Sequence, residues 1–181
     1  MTPPFLPPLY NPHSQGNDEK FIAEFVARYE LFQTLLRRLR AVNSEDSNFH
    51  QVLIGPRGMG KTSLLRRVAI AISHDQDLCD RFIPLSVREE QYNVLTIGNF
   101  WRNCGEALAE WAEKRGDSSL VDRLDRALST NAWSTDEKAG EQFQADMIAL
   151  KRRAVLLVDN LDLNLGALSD KDCWTLRRYL Q

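Results

Sequence analysis

The spacing of apolar residues in the first third of the chain predicts helices. From Phe21 to Leu39 these residues recur at steps of three or four, which places them on one face of an α-helix. A break near residues 26–28 is compatible with two shorter helices. Residues 61–73 predict an amphipathic helix whose apolar side chains face inward and whose Arg66 and Arg67 face solvent.

Three short apolar runs predict β-strands, at residues 51–54, 82–87 and 154–158. The last run is continuous, which is typical of a central strand covered on both faces. Residues 97–152 predict three helices, and residues 169–180 predict a final one. This order predicts an α/β fold with a parallel sheet and a helical insertion before the last strand.

The first 17 residues differ from the rest because they hold five of the seven prolines. Proline lacks a backbone N–H and does not fit inside a helix or a central strand. We therefore expect an extended arm over residues 1–17 and one core domain over residues 18–181.

Composition narrows the class of protein. Lys and Arg total 23 against 25 Asp and Glu, a formal net charge of −2, so no overall basic field favours nucleic acid. No run of about 18 apolar residues is present, which argues against a membrane partner. The three cysteines are scattered and include no CxxC pair, as expected of reduced thiols in a cytoplasmic protein.

The clearest motif is a glycine-rich loop that satisfies GxxxxGK[ST] between a predicted strand and a predicted helix. Its glycines let backbone N–H groups turn toward an anion, and the helix that follows directs the positive end of its dipole there. Lys61 would reach the β- and γ-phosphates of a nucleotide, and the Thr62 hydroxyl would reach Mg²⁺. The predicted nucleotide-binding residues of this loop are Gly55, Pro56, Arg57, Gly58, Met59, Gly60, Lys61, Thr62 and Ser63.

A second motif supports the first. The apolar strand 154–158 ends in Asp159, which is the form of a Walker B strand whose carboxylate holds Mg²⁺. Thr62 and Asp159 are thus the predicted metal ligands, and the cofactors are ATP or ADP with Mg²⁺.

The segments FVARYEL (25–31), GPRGMGKTSLL (55–65) and LLVDNLD (156–162) together resemble the AAA+ ATPase superfamily, most closely its STAND and origin-recognition-like branch. The resemblance implies a three-layer P-loop core in which Phe25, Val26 and Arg28 border the adenine and ribose. It also implies sensor, arginine-finger and lid segments after Asp159. Only 22 residues follow that position, so we expect a core that is incomplete, as in a truncated piece.

The residue after Asp159 departs from the family pattern. Many hydrolysing AAA+ proteins have glutamate there, whereas this chain has Asn160, whose amide orients a water but accepts no proton. Asp162 is the nearest carboxylate that would substitute, although a turn-capping role is the simpler interpretation. Asn160 and Asp162 are the candidate catalytic residues, and the hypothesis is a slow ATPase that converts ATP and water to ADP and phosphate.

The resemblance implies a nucleotide-controlled switch that drives self-association or remodels a protein partner. One alternative is a DNA-associated ATPase of the origin-loader or mobile-element type, and another is a nucleotide-gated scaffold without hydrolysis. Basic clusters at residues 37–40, 66–67, 151–153 and 177–178 would contact nucleic acid if they converged on one surface. Because the net charge is −2, solvated helix faces are the preferred interpretation of these clusters.

Overall fold

A computed structural model describes residues 18–26, 28–42, 50–87, 96–129, 136–166 and 168–180. The predicted arm over residues 1–17 lies outside these ranges. The described helices are α1 (Asp18–Glu24), α2 (Tyr29–Ala41), α3 (Lys61–His74), α4 (Gln76–Arg81), α5 (Ile97–Lys114), α6 (Ser118–Ser129), α7 (Asp136–Leu150), α8 (Leu161–Gly166) and α9 (Asp170–Leu180). The strands are β1 (Phe82–Val87) and β2 (Arg153–Val158).

The two strands pair in parallel, with Phe82 opposite Arg153 and Val87 opposite Val158. The three helices α5, α6 and α7 separate them along the chain. A parallel pair requires such a crossover connection, and it places the carboxyl ends of both strands at the same edge. The predicted α/β arrangement with a helical insertion is therefore confirmed, with a sheet of two strands among the described residues.

Helices cover both faces of this sheet. One face of β1, with Ile83, Leu85 and Val87, joins a buried cluster that includes residues from α5, α6, α7 and α9. The opposite face contributes Phe82 and the β2 residue Leu157 to a second cluster, which is built mainly from α2, α3 and α4. Successive residues of a strand point to opposite faces, so the continuous apolar sequence of β2 serves both clusters.

The predicted break near residues 26–28 is confirmed, because α1 ends at Glu24 and α2 begins at Tyr29. Arg28 lies in the left-handed region with φ 61°. Arg66 of α3 holds α1 in place: its guanidinium lies 3.1 Å from an Asp18 carboxylate oxygen and 4.3 Å from the centroid of Phe21. The expectation that Arg66 and Arg67 face solvent was wrong, since Arg67 also lies over an aromatic ring, that of Phe32 at 4.4 Å.

The predicted strand at residues 51–54 was wrong as well. The structure has an irregular segment there, with Val52 69% and Ile54 90% exposed. An isolated strand is not stable in water, and no described segment pairs with this one. Apolar composition alone therefore does not make residues 51–54 a strand.

Two short helices, α4 and α8, were not predicted, whereas the end of the chain matches its prediction. The Ser169 hydroxyl accepts the Asp172 N–H at 3.2 Å and so caps α9. Cys79 and Cys104 are buried, Cys173 is exposed, and all three are free thiols. Within the described ranges, no helix has the length and apolarity needed to cross a membrane.

Candidate functional site

The glycine-rich loop turns sharply into α3. Gly58 and Gly60 have φ values of 81° and 75°, in the left-handed region that glycine adopts without the steric penalty of a Cβ. Gly60 immediately precedes α3, whose first residue is Lys61. The loop thus delivers Lys61 and Thr62 to the first turn of a 14-residue helix, where free N–H groups and the helix dipole favour an anion.

The Lys61 side chain folds back over the loop. Its Nζ donates to the carbonyl oxygens of Gly55 at 2.7 Å and Pro56 at 3.0 Å. These contacts fix the ammonium group directly above the loop's own backbone. An ammonium group is a point charge with rotatable donors, so it can exchange carbonyl oxygens for phosphate oxygens without a change in the helix.

Thr62 and Asp159 meet although they are 97 residues apart in the chain. The Thr62 hydroxyl donates to Asp159 Oδ2 at 2.5 Å. Asp159 is only 6% exposed and follows β2, and its N–H donates to the Val87 carbonyl at the end of β1. The fold therefore brings the two predicted metal ligands together at the carboxyl edge of the sheet, where ligands bind in open α/β folds.

The two candidate catalytic residues occupy different surroundings. Asn160 is in the left-handed region with φ 47°, and its N–H donates to Asp159 Oδ1 at 3.1 Å. It therefore belongs to the Asp159 turn. Asp162 is exposed in the first turn of α8, and no hydrogen bond or ion pair joins it to the described part of the loop.

The segment predicted to border the nucleotide base is only partly brought to the loop. The Arg28 guanidinium lies 3.7 Å from the position that a Cβ on Gly55 would take, so this arginine does lie beside the loop. Val26 is 82% exposed. Phe25 instead packs against the rings of Phe21 and Phe32, at centroid distances of 6.1 and 5.8 Å.

The remaining loop residues are presented to solvent to different degrees. Pro56, Arg57 and Met59 are exposed, and Ser63 is half-buried in the first turn of α3.

Sequence reasoning missed Asp18 and Phe21, which position α3 from the outside through Arg66. An acidic residue and an aromatic residue three positions apart on α1 are too common a pattern to have indicated that role.

A helix that begins at a lysine and threonine, beside an aspartate at the end of a parallel strand, defines a P-loop nucleotide-binding protein. The chain matches the AAA ATPase domain family over residues 24–180, and it belongs to that family. Comparison with curated proteins and with solved structures returned no significant match. The chain is thus an ATPase nucleotide-binding module, and the match includes the loop, Asp159 and α9.

Proposed function

We propose that this module binds ATP with Mg²⁺ between the glycine-rich loop and Asp159 and acts as a nucleotide-controlled switch. The observation that carries the proposal is the 2.5 Å hydrogen bond between Thr62 and Asp159. A threonine hydroxyl that contacts a buried aspartate, directly after a loop that carries a lysine, provides the groups that binding of a nucleoside triphosphate requires.

The loop would hold the phosphates through its backbone and Lys61. Binding would exchange the two carbonyl contacts of Lys61 for contacts with β- and γ-phosphate oxygens, which are charge-assisted and stronger. Gly58 and Gly60 have no heavy atom within 4 Å of the position of a Cβ, which leaves open space at the loop surface. The first turn of α3 would supply the remaining N–H donors.

The residues present also fit Mg²⁺. The ion prefers hard oxygen ligands and commonly takes one or two carboxylates, with nucleotide phosphates and water filling the other positions. Thr62 and Asp159 supply a hydroxyl and one carboxylate, and no larger group of His, Cys, Asp or Glu that would hold a metal occurs in the described segments. When bound there, Mg²⁺ would neutralise phosphate charge.

Arg28 would contact the bound nucleotide beside Gly55. Its guanidinium already lies near the loop, and its backbone conformation is one that non-glycine residues seldom adopt. Such an outlier indicates that the surrounding structure determines the position of this residue. The exposed Val26 would provide apolar surface for the base, whereas the packing of Phe25 favours a structural role for that side chain.

The switch role follows from the connections of the site. Thr62 begins α3, Asp159 follows β2, and α3 is tied to α1 by Arg66 and Asp18. A bound nucleotide that replaces the hydrogen bond between Thr62 and Asp159 would therefore shift α3 and α1 on one side of the sheet. It would also shift the carboxyl end of β2. The resemblance to the STAND and origin-recognition-like branch favours readout as self-association or partner remodelling in the cytoplasm.

Slow hydrolysis is part of the proposal because Asn160 stands where a general base would be expected. Steady-state ATP turnover should be low in the wild type, rise in Asn160→Glu, and fall in Asp162→Asn only if Asp162 substitutes for the missing base. Light scattering in ATP and in ADP would report self-association in parallel. Fast wild-type turnover that is unaffected by Asp162→Asn would overturn the slow-switch proposal, and tight ADP binding without any turnover would select the scaffold alternative.

A further inference from the structure

Two arginines lie over the ring of Trp111, far from the nucleotide site. The Arg115 guanidinium lies 5.1 Å from the centroid of the Trp111 ring, and the Arg152 guanidinium lies 5.8 Å from the same point. Lys114 and Lys151 are the exposed neighbours of these arginines in sequence. We call Trp111, Lys114, Arg115, Lys151 and Arg152 the Trp111 patch.

The patch is separate from the proposed ATP site. Arg152 immediately precedes β2 and Asp159 immediately follows it. At about 3.3 Å per strand residue, the two ends of β2 are roughly 20 Å apart. A ligand at the patch would therefore not compete with a nucleotide at Lys61 and Thr62.

Two helix ends build the patch. Lys114 and Arg115 close α5, and Lys151 and Arg152 follow the end of α7. A cation at a helix C-terminus is favoured by the helix dipole, which accounts for one basic residue at each end. The cation–π attraction of the Trp111 ring brings the two guanidiniums together, although each raises the electrostatic cost of placing the other.

The backbone of Lys151 supports a role for its charge. This residue has φ 52° and donates its N–H to the Ile148 carbonyl, in the position after a helix where glycine is the usual residue. A lysine in the left-handed region costs about 1 kcal/mol relative to glycine. A lysine at a position that favours glycine is the kind of local conflict expected at functional sites.

Carboxylates near the patch do not cancel its charge. Glu110 and Glu113 lie on the last turns of α5, which ends at Lys114. Asp117, the next acidic residue, accepts hydrogen bonds from the Leu120 N–H at 3.1 Å and from the Ser119 hydroxyl at 3.1 Å. The four cations Lys114, Arg115, Lys151 and Arg152 outnumber the three carboxylates by one, so the local formal charge is positive although the whole chain is at −2.

We infer that the Trp111 patch binds the backbone of single-stranded nucleic acid. Guanidinium groups match phosphate oxygens in a bidentate fashion, and two of them at one ring are placed to contact neighbouring phosphates. The two guanidiniums lie over the Trp111 ring, and their outer planes offer surfaces on which unpaired bases stack, as in single-strand-binding sites. An acidic peptide would use the same cations but would gain nothing from the stacking surfaces.

The test measures binding of fluorescently labelled 20-nucleotide single-stranded DNA and RNA by anisotropy, using the full chain without ATP. The variant Arg115→Ala/Arg152→Ala should weaken binding at least tenfold. It should also reduce the slope of log affinity against log salt by about 1.4, because each lost phosphate contact on a single strand contributes about 0.7. Arg115→Lys/Arg152→Lys should fall between the wild type and the alanine variant, since it keeps charge but loses the bidentate groups.

The matched control is Arg102→Ala/Arg126→Ala, which removes the same charge from exposed positions on α5 and α6. It should bind the oligonucleotides within twofold of the wild type, and circular dichroism should show all variants folded. An equal loss in the control, or no measurable oligonucleotide binding by the wild type, would overturn the inference. Tighter binding of poly-glutamate than of either oligonucleotide would overturn it in favour of an acidic protein partner.

Discussion

The two faces of the sheet differ in what they carry. On one face, α5, α6, α7 and α9 enclose a cluster in which Cys104, Leu108 and Leu124 are fully buried. On the other face, α2, α3 and α4 enclose a second cluster, and the glycine-rich loop leads directly into α3. Around that loop, large apolar side chains such as Ile54 and Met59 are exposed.

The two faces therefore differ in role: the α5 face contributes stability, and the α3 face contributes the groups that bind phosphate. The α5 face supplies dense packing, and burial raises the pKa of the Cys104 thiol, which keeps it protonated and inert. The α3 face presents the exposed glycine-rich loop and the half-buried Lys61 and Thr62, which provide the donors that a phosphate ligand requires. Substitutions on the α5 face should therefore change unfolding free energy, whereas those at the loop should change nucleotide affinity.

The largest expected change in stability is for Leu108→Ala. Leu108 is fully buried in α5, and loss of such a side chain costs about 2–5 kcal/mol through lost burial and the cavity that remains. Urea unfolding would measure the loss, and Ile148→Ala, at a position 77% exposed on α7, should stay within about 0.5 kcal/mol of the wild type. Reduced ATP affinity in the folded fraction of Leu108→Ala would contradict the separation of the two faces.

A smaller loss is expected for Gly140→Ala in α7. A Cβ at this position would lie 2.9 Å from Tyr179 Cζ and 3.0 Å from Trp101 Nε1, so these two rings would have to shift away from α7 at a cost of roughly 1–3 kcal/mol. Gly166→Ala is the control, because no atom lies within 4 Å of its added Cβ. Equal melting temperatures for the two variants would show that α7 and α9 pack less closely than described.

The smallest effect concerns Asp75, between α3 and α4. Its hydrogen bond from Arg40, 2.7 Å long, lowers the pKa of its carboxyl group, and so does the Leu78 N–H. A lowered folded-state pKa stabilises the fold above the unfolded pKa of about 3.9, and this contribution is lost as pH falls through the folded value. Asp75→Asn keeps a capping side chain but removes the ion pair, so it should cost less than about 1 kcal/mol at pH 7. Unfolding curves at pH 7 and pH 3 should show a smaller difference in acid; a constant difference would contradict the assignment.

Much of the fold could be predicted because its elements have strong periodicity. Apolar spacing was sufficient for α3, for the three helices of the insertion and for α9. It was insufficient for α4, where only Leu78 and Cys79 are buried in a six-residue polar helix. It was misleading at residues 51–54, because a strand depends on a partner that the local sequence does not specify.

The candidate site could be predicted where the spacing of residues in the sequence is typical of nucleotide binding. The GxxxxGKT pattern and the aspartate after an apolar strand were sufficient to pair Thr62 with Asp159 across 97 positions. No local pattern could show that Arg66 and Arg67 lie over the rings of Phe21 and Phe32. Those contacts depend on how α1 and α2 pack on α3, and that packing is a property of the tertiary fold.

The central claim is that the loop at Lys61 binds ATP, and calorimetric titration of ATP with Mg²⁺ tests it most directly. Lys61→Ala should weaken binding at least 100-fold while circular dichroism and melting temperature stay at wild-type values, because Lys61 contacts two backbone carbonyls of its own loop. Lys171→Ala, an exposed lysine on α9, is the matched control and should bind like the wild type. Unchanged ATP affinity in a folded Lys61→Ala protein would contradict the account.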